Sequence, residues 1–463
     1  MLEQVSNFID GWGSGGIGSM QDIGALRKAL ETGNVGIVAA GDTGAAALRV
    51  QSLEPTLKRL SFQAKHCVGW NLIPKVTARS VAEEYTQLSS YGQTGDGFTP
   101  EITSPAAVDE DLVRAVAMVR FMAVGAEVSL ATQFVQNVAP IMALKAQNAT
   151  LLLLRLIETA LWEGSTAKNP LAWNGIGAQI EAWAAGHSED AEIVVDLRAQ
   201  PFTPEVFEDA CATIVGRYGQ ATHAFFDVPT NADLAKQMYS QMRWERGRET
   251  PGGVNDKIGV RYRAFESQTT NDRVQIYQNP MLQYVLKCPT AAVGKNCPAM
   301  PVVTTATGAH VGTLLDADTY YYKVIAIGQS GRSAPSTADT QAVNGAQDAV
   351  LTIVNPADTI YFEIWRSIDN AAFYKLDSVP CSTTGTTTYT DDGSEIAGCS
   401  KAYIGELESD QVIAFHKLTD LMKLDIAPLG TASRFLMLLY GVPIVYNCRR
   451  WVEVKNIGRW TTP

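Results

Sequence analysis

Residues 298–396 differ in texture from everything on either side of them, and that interruption constrains the fold more than any motif. Tyr320, Tyr322, Val324 and Ala326 alternate with Tyr321, Lys323 and Ile325, and further short runs cover 350–354, 360–365 and 372–379. Gly-Gln-Ser-Gly, Asn-Gly-Ala and Asp-Asn turn signals separate these runs, and no stretch keeps a helical period. This is the pattern of a small β-sandwich. Eleven acids against four bases place −7 of the chain's net −11 in this stretch. Residues 400–463 resume the character of the N-terminal part and end in an apolar, strand-rich segment without a core of its own. That ending must pack on the first part of the chain, so 298–396 reads as an insertion between residues 1–297 and 397–463.

The 463 residues allow two or three domains. Charged residues make up 18% of the chain, against about 25% in ordinary soluble proteins, and the acidic balance argues against a simple basic nucleic-acid binder. Seven cysteines, at 67, 211, 288, 297, 381, 399 and 448, are odd in number and scattered, so no disulfide framework is implied. Free thiols are expected, with a clasp among Cys288, Cys297 and Cys399 at the edges of the insertion as the alternative. The first residues lack the charged and apolar zones of a secretory signal. Phe435–Tyr446 is too short to span a bilayer, and Arg155 and Glu158 interrupt the apolar run from Leu151. A reducing cytoplasm, or a particle assembled there, is the expected location.

Residues 1–50 are rich in Gly and Ala and read as an extended arm, with a short amphipathic stretch at Met20–Leu30. Residues 81–111 are polar, punctuated by Gly and Pro, and suit a long two-stranded loop. Leu112–Thr132 begins as strand. Leu144, Leu151, Leu154, Ile157 and Leu161 predict a long amphipathic helix over Ala139–Trp162. The stretch from Gly164 to Trp183 reads as loop, and Glu192–Leu197 as strand. Thr203-Pro204-Glu205 opens a helix to about Tyr218 through an N-cap, a proline and an early acid. A strand at Ala224–Val228 and a helix from Pro229 to Met242 follow. Glu408–Met422 has a helix-like pattern.

No chemistry-bearing constellation emerges. Gly13-Ser14-Gly15-Gly16-Ile17-Gly18 matches G-x-G-x-x-G but lacks the strand before it and the helix after it that place a pyrophosphate on a helix N-terminus. A flexible arm is the better reading, and a soluble nucleotide-binding enzyme using Gly13–Gly18 remains the alternative from another class. The five histidines lie far apart, and His66-Cys67, as strand neighbours, would face opposite ways. Glu83-Glu84 and Asp109-Glu110-Asp111 read as solvated or intersubunit-pairing acids, and Asp391-Asp392-Gly393 as a turn in preference to a calcium site. Arg243, Arg246 and Arg248, and likewise Arg449, Arg450 and Arg459, suit a salt-bridged interface at least as well as phosphate. Catalytic, cofactor and metal sites are not expected.

Several ordered blocks carry a resemblance. TARSVAEEYTQLSSYGQTGDGFTPEITSP followed by LVRAVAMVRFMAVGAEVSLAT, the helix through Leu144–Trp162, LAWNGIGAQIE, FTPEVFEDACATIVGRYGQATHAFFDVPTNADLAKQM and LLYGVPIVYNCRRWVEVKNIGRW together resemble the major capsid proteins of tailed bacteriophages. Their fold is the α+β Hong Kong 97-like (Johnson) fold. The resemblance implies an N-arm over about 1–70, an extended loop over about 75–125, a spine helix over about 140–163, and peripheral and axial domains. It also implies a virion shell of hexamers and pentamers of this chain around double-stranded DNA, with scaffolding and portal proteins, a decoration protein as a further candidate partner, and no membrane. TYYYKVIAIGQSGRSAPS, TIYFEIWRSIDNAAFYKLDSV and TTYTDDG are similar to immunoglobulin or fibronectin type III modules. On this reading Tyr91 and Phe98 in the loop, with Arg243 and Arg246, are candidate subunit contacts. Residues 81–111 contain no lysine, so the family's lysine cross-link is not expected through this loop. An encapsulin-like nanocompartment is the alternative within the fold, and a secreted adhesin or carbohydrate binder is a third reading that no secretion signal supports.

Overall fold

A computed structural model of the protein describes residues 62–92, 98, 101, 109–134, 141–239, 264–270, 273–282, 286–294, 296–309, 315–345, 347–407 and 411–460. The expected arm over 1–50, with Met20–Leu30 and Gly13–Gly18, and the cluster Arg243, Arg246 and Arg248 lie outside these residues.

The described chain begins with α1 (Val68–Leu72) and β1 (Lys75–Thr77), followed by the antiparallel pair β2 (Ala82–Ser90) and β3 (Asp111–Met118). Among the described residues these two strands pair only with each other. After Val119 comes β4 (Arg120–Ser129), so strand runs through the second half of Leu112–Thr132 as well. It does so because β4 pairs along its whole length with a C-terminal strand, from Arg120↔Gly441 to Ser129↔Ala432. Next are α2 (Leu130–Phe134) and the long helix α3 (Ile141–Glu163). The buried line of α3 is Ala149, Leu153, Ile157 and Leu161, a strict four-residue spacing. Of the expected stripe only Ile157 and Leu161 are on it, with Leu144, Leu151 and Leu154 half-buried beside it.

The stretch read as loop up to Trp183 contains α4 (Ile176–Gly186). Its glycines serve close packing: a Cβ on Gly177 would come within 2.8 Å of the Tyr403 hydroxyl. The strand expected at Glu192–Leu197 is mostly a 3-10 turn, Ser188–Ile193, with only β5 (Val194–Asp196) in a sheet. Helix α5 (Pro204–Gly216) starts as expected, its Val206 N–H donating to the Thr203 hydroxyl. The strand β6 (His223–Phe226), helix α6 (Val228–Tyr239) and strands β7 (Ala264–Glu266) and β8 (Arg273–Gln278) follow.

Eight strands then form two facing sheets: β9 (Val302–Ala309), β10 (Thr319–Gly328), β11 (Gly331–Arg332), β12 (Asp339–Ala342), β13 (Gln347–Val354), β14 (Thr359–Ser367), β15 (Tyr374–Pro380) and β16 (Thr386–Asp391). One sheet runs β11-β10-β14-β15 with β12 beside β10, the other β16-β13-β9. Tyr322, Val324, Ala326, Leu351, Ile353, Phe362 and Ile364 fill the space between them. The alternate face of β10 is not left to solvent: Ile325 packs with Trp365 and Phe373 under the incoming chain at Cys288.

The chain closes with β17 (Ser400–Gly405), β18 (Ile413–Leu429), β19 (Ala432–Val445) and β20 (Trp451–Ile457). The helix expected at Glu408–Met422 is therefore a correction, since those described residues belong mainly to β18. The reason lies past Met422, where Met422, Leu424 and Ile426 alternate with Lys423 and Asp425, the two-residue period of a strand, and β19 supplies the pairing partner. The C-terminal strands do pack on the first part of the chain. One sheet runs β1-β18-β19-β4, with α3 on one face, and another runs β5-β20-β17-β6-β8-β7. The core of the second is formed by Phe202, Phe207, Ile214, Phe226, Ile404 and Val452.

Candidate functional site

The outer face of the β1-β18-β19-β4 sheet is built from residues opposite one another in register, which share a face. Met422 lies across from Leu438, Leu424 from Leu436 and Ile426 from Arg434. On the other side of β19, Tyr440 faces Phe121, Leu438 faces Ala123, Leu436 faces Gly125 and Arg434 faces Glu127. The intervening residues Phe435, Met437 and Leu439 point into the core with α3. Phe121 is 60% exposed and Leu424 49%, with Met422 and Ile426 close behind. The charged pair on this face is Arg434–Glu127, 3.2 Å apart. A contiguous exposed apolar stripe is the kind of surface that marks an interaction site.

The β2–β3 hairpin carries a second such surface. Register places Ala82, Glu84, Thr86 and Leu88 with Met118, Val116, Arg114 and Leu112 on one face. Leu112 is 61% exposed, and Val116, Met118 and Leu88 are exposed with it. The opposite face seats the hairpin on the body. The Tyr85 ring meets Tyr446 edge-on at 5.2 Å, the Gln87 side chain donates to the Tyr446 carbonyl at 2.5 Å, and Glu83 approaches His416 at 3.6 Å. Glu84, expected to be solvated or paired across subunits, is exposed and pairs with Arg114 at 3.3 Å within the hairpin. Tyr91 and Phe98, the contact candidates from the sequence, are both more than four-fifths exposed. Arg243 and Arg246 lie outside the described residues.

The remaining charged candidates are paired within the chain. Arg449 and Arg217 grip the fully buried Asp190 from two sides at 2.6 and 3.3 Å. Burial pushes this carboxyl up, but hydrogen bonds from Trp183 and Arg449 and the two guanidinium charges outweigh it and hold it below the ordinary range. Arg450 pairs with Glu406 and Arg459 with Asp233. Asp391, read as part of a turn, does close one through its bond from the Gly393 N–H. It also lies buried against Arg366 at 2.7 Å and accepts from the Tyr322 hydroxyl at 2.8 Å, inside the two-sheet core.

Lys401 reaches Glu453, Glu181 and Glu395 at 3.3–3.4 Å. Burial opposes its charge, but these carboxylates prevail and hold the ammonium well above its ordinary range. The cluster borders a cavity of about 620 Å³ whose lining mixes acids with bases and comes from α3, α4, β14 and β15. Burial pushes the thiols of Cys211 and Cys448 up to about 12 and that of Cys67 to about 11. No disulfide joins the seven cysteines. Among the described residues no group of three or more His, Cys, Asp or Glu gathers as a metal site, and no helix is long and apolar enough to cross a membrane.

Sequence reasoning missed two features. Glu158, conspicuous in the sequence only as an interruption of an apolar run, is fully buried and accepts from the Gly69 N–H and Trp70 N–H at 2.8 Å, Trp162 Nε1 at 3.0 Å and Asn279 Nδ2 at 2.6 Å. Its signal is a carboxylate one turn before a tryptophan on an otherwise apolar face. The other is the outer sheet stripe, hidden because it arises only from the register of β4, β18 and β19, of which β18 begins where a helix was expected.

No family model matches the chain. The chain is 25% identical over 451 residues to a putative major capsid protein of Enterococcus phage phiEF24C, covering 93% of this chain and 94% of that protein. It is 22% identical over 443 residues to the major capsid protein of Staphylococcus phage K, with the same coverage. Among solved structures, Gordonia phage Cozz aligns at 12% identity and a TM-score of 0.45, covering 90% of this chain and 96% of that one. The capsid of a native GTA particle aligns at 10% identity and a TM-score of 0.45, covering 91% and 99%. The fold is α+β, with a long hairpin, a long helix and C-terminal strands in the order expected from the sequence. The chain is similar to phage major capsid proteins over almost the whole of its length.

Proposed function

We propose that this protein is the major capsid protein of a tailed double-stranded DNA bacteriophage and assembles with copies of itself into the icosahedral head. The observation that carries this reading is the likeness to named capsid proteins over almost the full length of both chains. The two exposed apolar surfaces support it, since a subunit that buries its sides against copies of itself has apolar, charge-depleted contact faces. The hairpin's outer face, with Leu88, Leu112, Val116 and Met118, covers a neighbouring subunit, and the sheet stripe of Phe121, Met422, Leu424 and Ile426 receives such a contact. Tyr91 and Phe98 extend the hairpin contact, and Arg243 and Arg246 belong to a further subunit interface. Hexamers and pentamers, a scaffolding protein, a portal, packaged DNA on the inner face and a decoration protein complete the proposed assembly. Residues 298–396 form an immunoglobulin- or fibronectin-like insertion between 1–297 and 397–463.

Electron microscopy of the purified protein tests the reading. Wild type forms closed shells. Leu112→Lys and Leu424→Lys, each a charge placed on one exposed face, leave circular dichroism unchanged and abolish shells. Closed shells at wild-type yield from both variants would reject these surfaces, and small monodisperse species from the wild type at high concentration would reject the capsid reading.

A further inference from the structure

Residues 298–396 keep their apolar packing to themselves. The cluster between their two sheets takes in nothing of the rest of the chain beyond Ala397, and the two cores of the body take in nothing from 298–396. The smaller cluster of Ile325, Trp365 and Phe373 reaches out only to Cys288, in the incoming chain. That incoming chain goes with the strands it feeds. Lys287 bridges to Tyr374, the Cys288 N–H donates to the Phe373 carbonyl at 2.8 Å, and Val293 and Arg332 exchange backbone hydrogen bonds at 2.9 and 3.0 Å. Among the described residues, therefore, no buried apolar cluster joins this unit to the body.

Polar contacts cross the seam instead, at two places on the rim of the 620 Å³ cavity. At the first, the outgoing chain is pinned. Asn456 of β20 accepts the Ile396 N–H and donates to the Ser394 carbonyl, both at 2.9 Å, and Lys401 holds Glu395 at 3.4 Å. Asn456 is buried and Lys401 nearly so. At the second, in the turn after α3, Lys168 Nζ meets Asp377 Oδ1 of β15 at 2.6 Å, and there the lysine side chain is 39% exposed. Lys375 of the same strand pairs with Glu363 of β14 at 3.4 Å. Burial opposes its charge, but Glu363 and, from the end of α3, Glu163 hold the ammonium above its ordinary range. A seam built around open volume forfeits dispersion contacts, and its exposed ion pairs are weak and screened by salt. Polar interfaces of this kind leave relative motion of the two units as the default. We propose that the unit from Lys287 to Glu395 is a hinged lid over the cavity. It pivots on the outgoing chain at Ser394–Ile396 and is clasped shut by Lys168 and Asp377, so that ionic strength sets the population of the open form.

The lid rests on reading 298–396 as an insertion and stands whether or not the capsid reading does. Electron–electron distance measurement on the full-length, unassembled protein tests it. Nitroxide labels are carried by unnatural amino acids at Val354 on β13 and Tyr218 after α5, both exposed, so the native cysteines are left alone. In low salt the wild type gives one narrow distance distribution. A second component appears at about 1 M salt, where the screening length falls to about 3 Å. Asp377→Lys turns the clasp into a repulsion and raises that component about tenfold already in low salt. The charge swap Lys168→Glu with Asp377→Lys restores the single distance, which a merely structural defect at 377 would not allow. Amide exchange of β10 and β14 in the same samples reports on the insertion itself and stays at wild-type protection throughout. An unchanged distribution in Asp377→Lys with β10 and β14 protected, or a swap that fails to restore it, overturns the lid alone. Loss of β10 and β14 protection along with the new component would deny 298–396 a fold of its own and overturn both readings.

Discussion

Glu158→Gln is the sharpest test of what holds α3 in place. The carboxylate gathers donors from three segments: the α1 backbone at Gly69 and Trp70, the α3 side chain of Trp162, and Asn279 after β8. Three of the four converge on Oε1, and the Trp70 N–H alone meets Oε2. Glutamine can keep the threefold acceptor, but its amide nitrogen then replaces Oε2 and confronts the Trp70 N–H, donor against donor. Losing charge assistance on the retained bonds and orphaning one buried donor costs about 3 kcal/mol. Glu158→Ala orphans the full set and costs about 5 kcal/mol. Gly69 belongs to the same site, because a Cβ there would sit 2.8 Å from the Trp162 ring and 3.0 Å from Glu158 Oε1. Urea unfolding of the unassembled subunit, followed by tryptophan fluorescence and by native-state exchange of the Gly69 and Trp70 amides, measures both effects. The amides lose protection first in Glu158→Gln. A midpoint and amide protection equal to wild type would refute the claim that this carboxylate joins the three segments.

Other outcomes follow from the same physical terms. Asp391→Asn leaves the buried Arg366 guanidinium without its counter-charge and costs about 3–5 kcal/mol. Limited proteolysis should therefore open residues 298–396 before the rest of the chain. Asp190 has a carboxyl held below its ordinary value, so its contribution is fully present above the unfolded pKa of about 3.9 and lost as pH falls through the lower folded value. Asp190→Asn removes this contribution and flattens the acid limb of thermal stability below about pH 4. If shells assemble through the hairpin and the sheet stripe as proposed, the contact buries apolar area, so raising salt to about 1 M, where charge attraction is screened within a few ångströms, leaves assembly intact or promotes it. Dissolution of shells at that salt would place ionic contacts in charge of assembly.

How much was legible depended on whether a signal was local. Thr203-Pro204-Glu205 carries its own instructions for a helix start, and the structure begins α5 there. The strands within 298–396 were readable because alternation and turns recur within a few residues of one another. Glu408–Met422 misled because an apolar spacing over a short window fits two periods, and the deciding information was the pairing with β19. Gly175 and Gly177 looked like loop residues, although one caps α4 and the other admits Tyr403. Glu158 was visible as an oddity, but its four donors come from positions up to 121 residues away, and no local pattern specifies such convergence.

The distribution of charge draws these observations together. Outside residues 298–396 the chain carries 33 bases and 37 acids, and many of those ions are committed within the subunit. Asp190 takes Arg217 and Arg449, Asp233 takes Arg459 and Lys236, Glu406 takes Arg450, and Lys401 is enclosed by three glutamates. Basic residues that looked available for phosphate near the C-terminus are instead the counter-charges of buried or half-buried carboxylates, an arrangement in which removing either partner leaves a costly unpaired charge. The ions thereby fix the positions of α5, α6, β17 and β20, while the hairpin face and the outer sheet stripe expose mainly apolar side chains, with one ion pair each, Glu84–Arg114 and Glu127–Arg434. On the proposed function, a low overall charge and exposed apolar faces are one design: charge holds the chain's shape, and association falls to surfaces whose gain comes from the removal of apolar area from water.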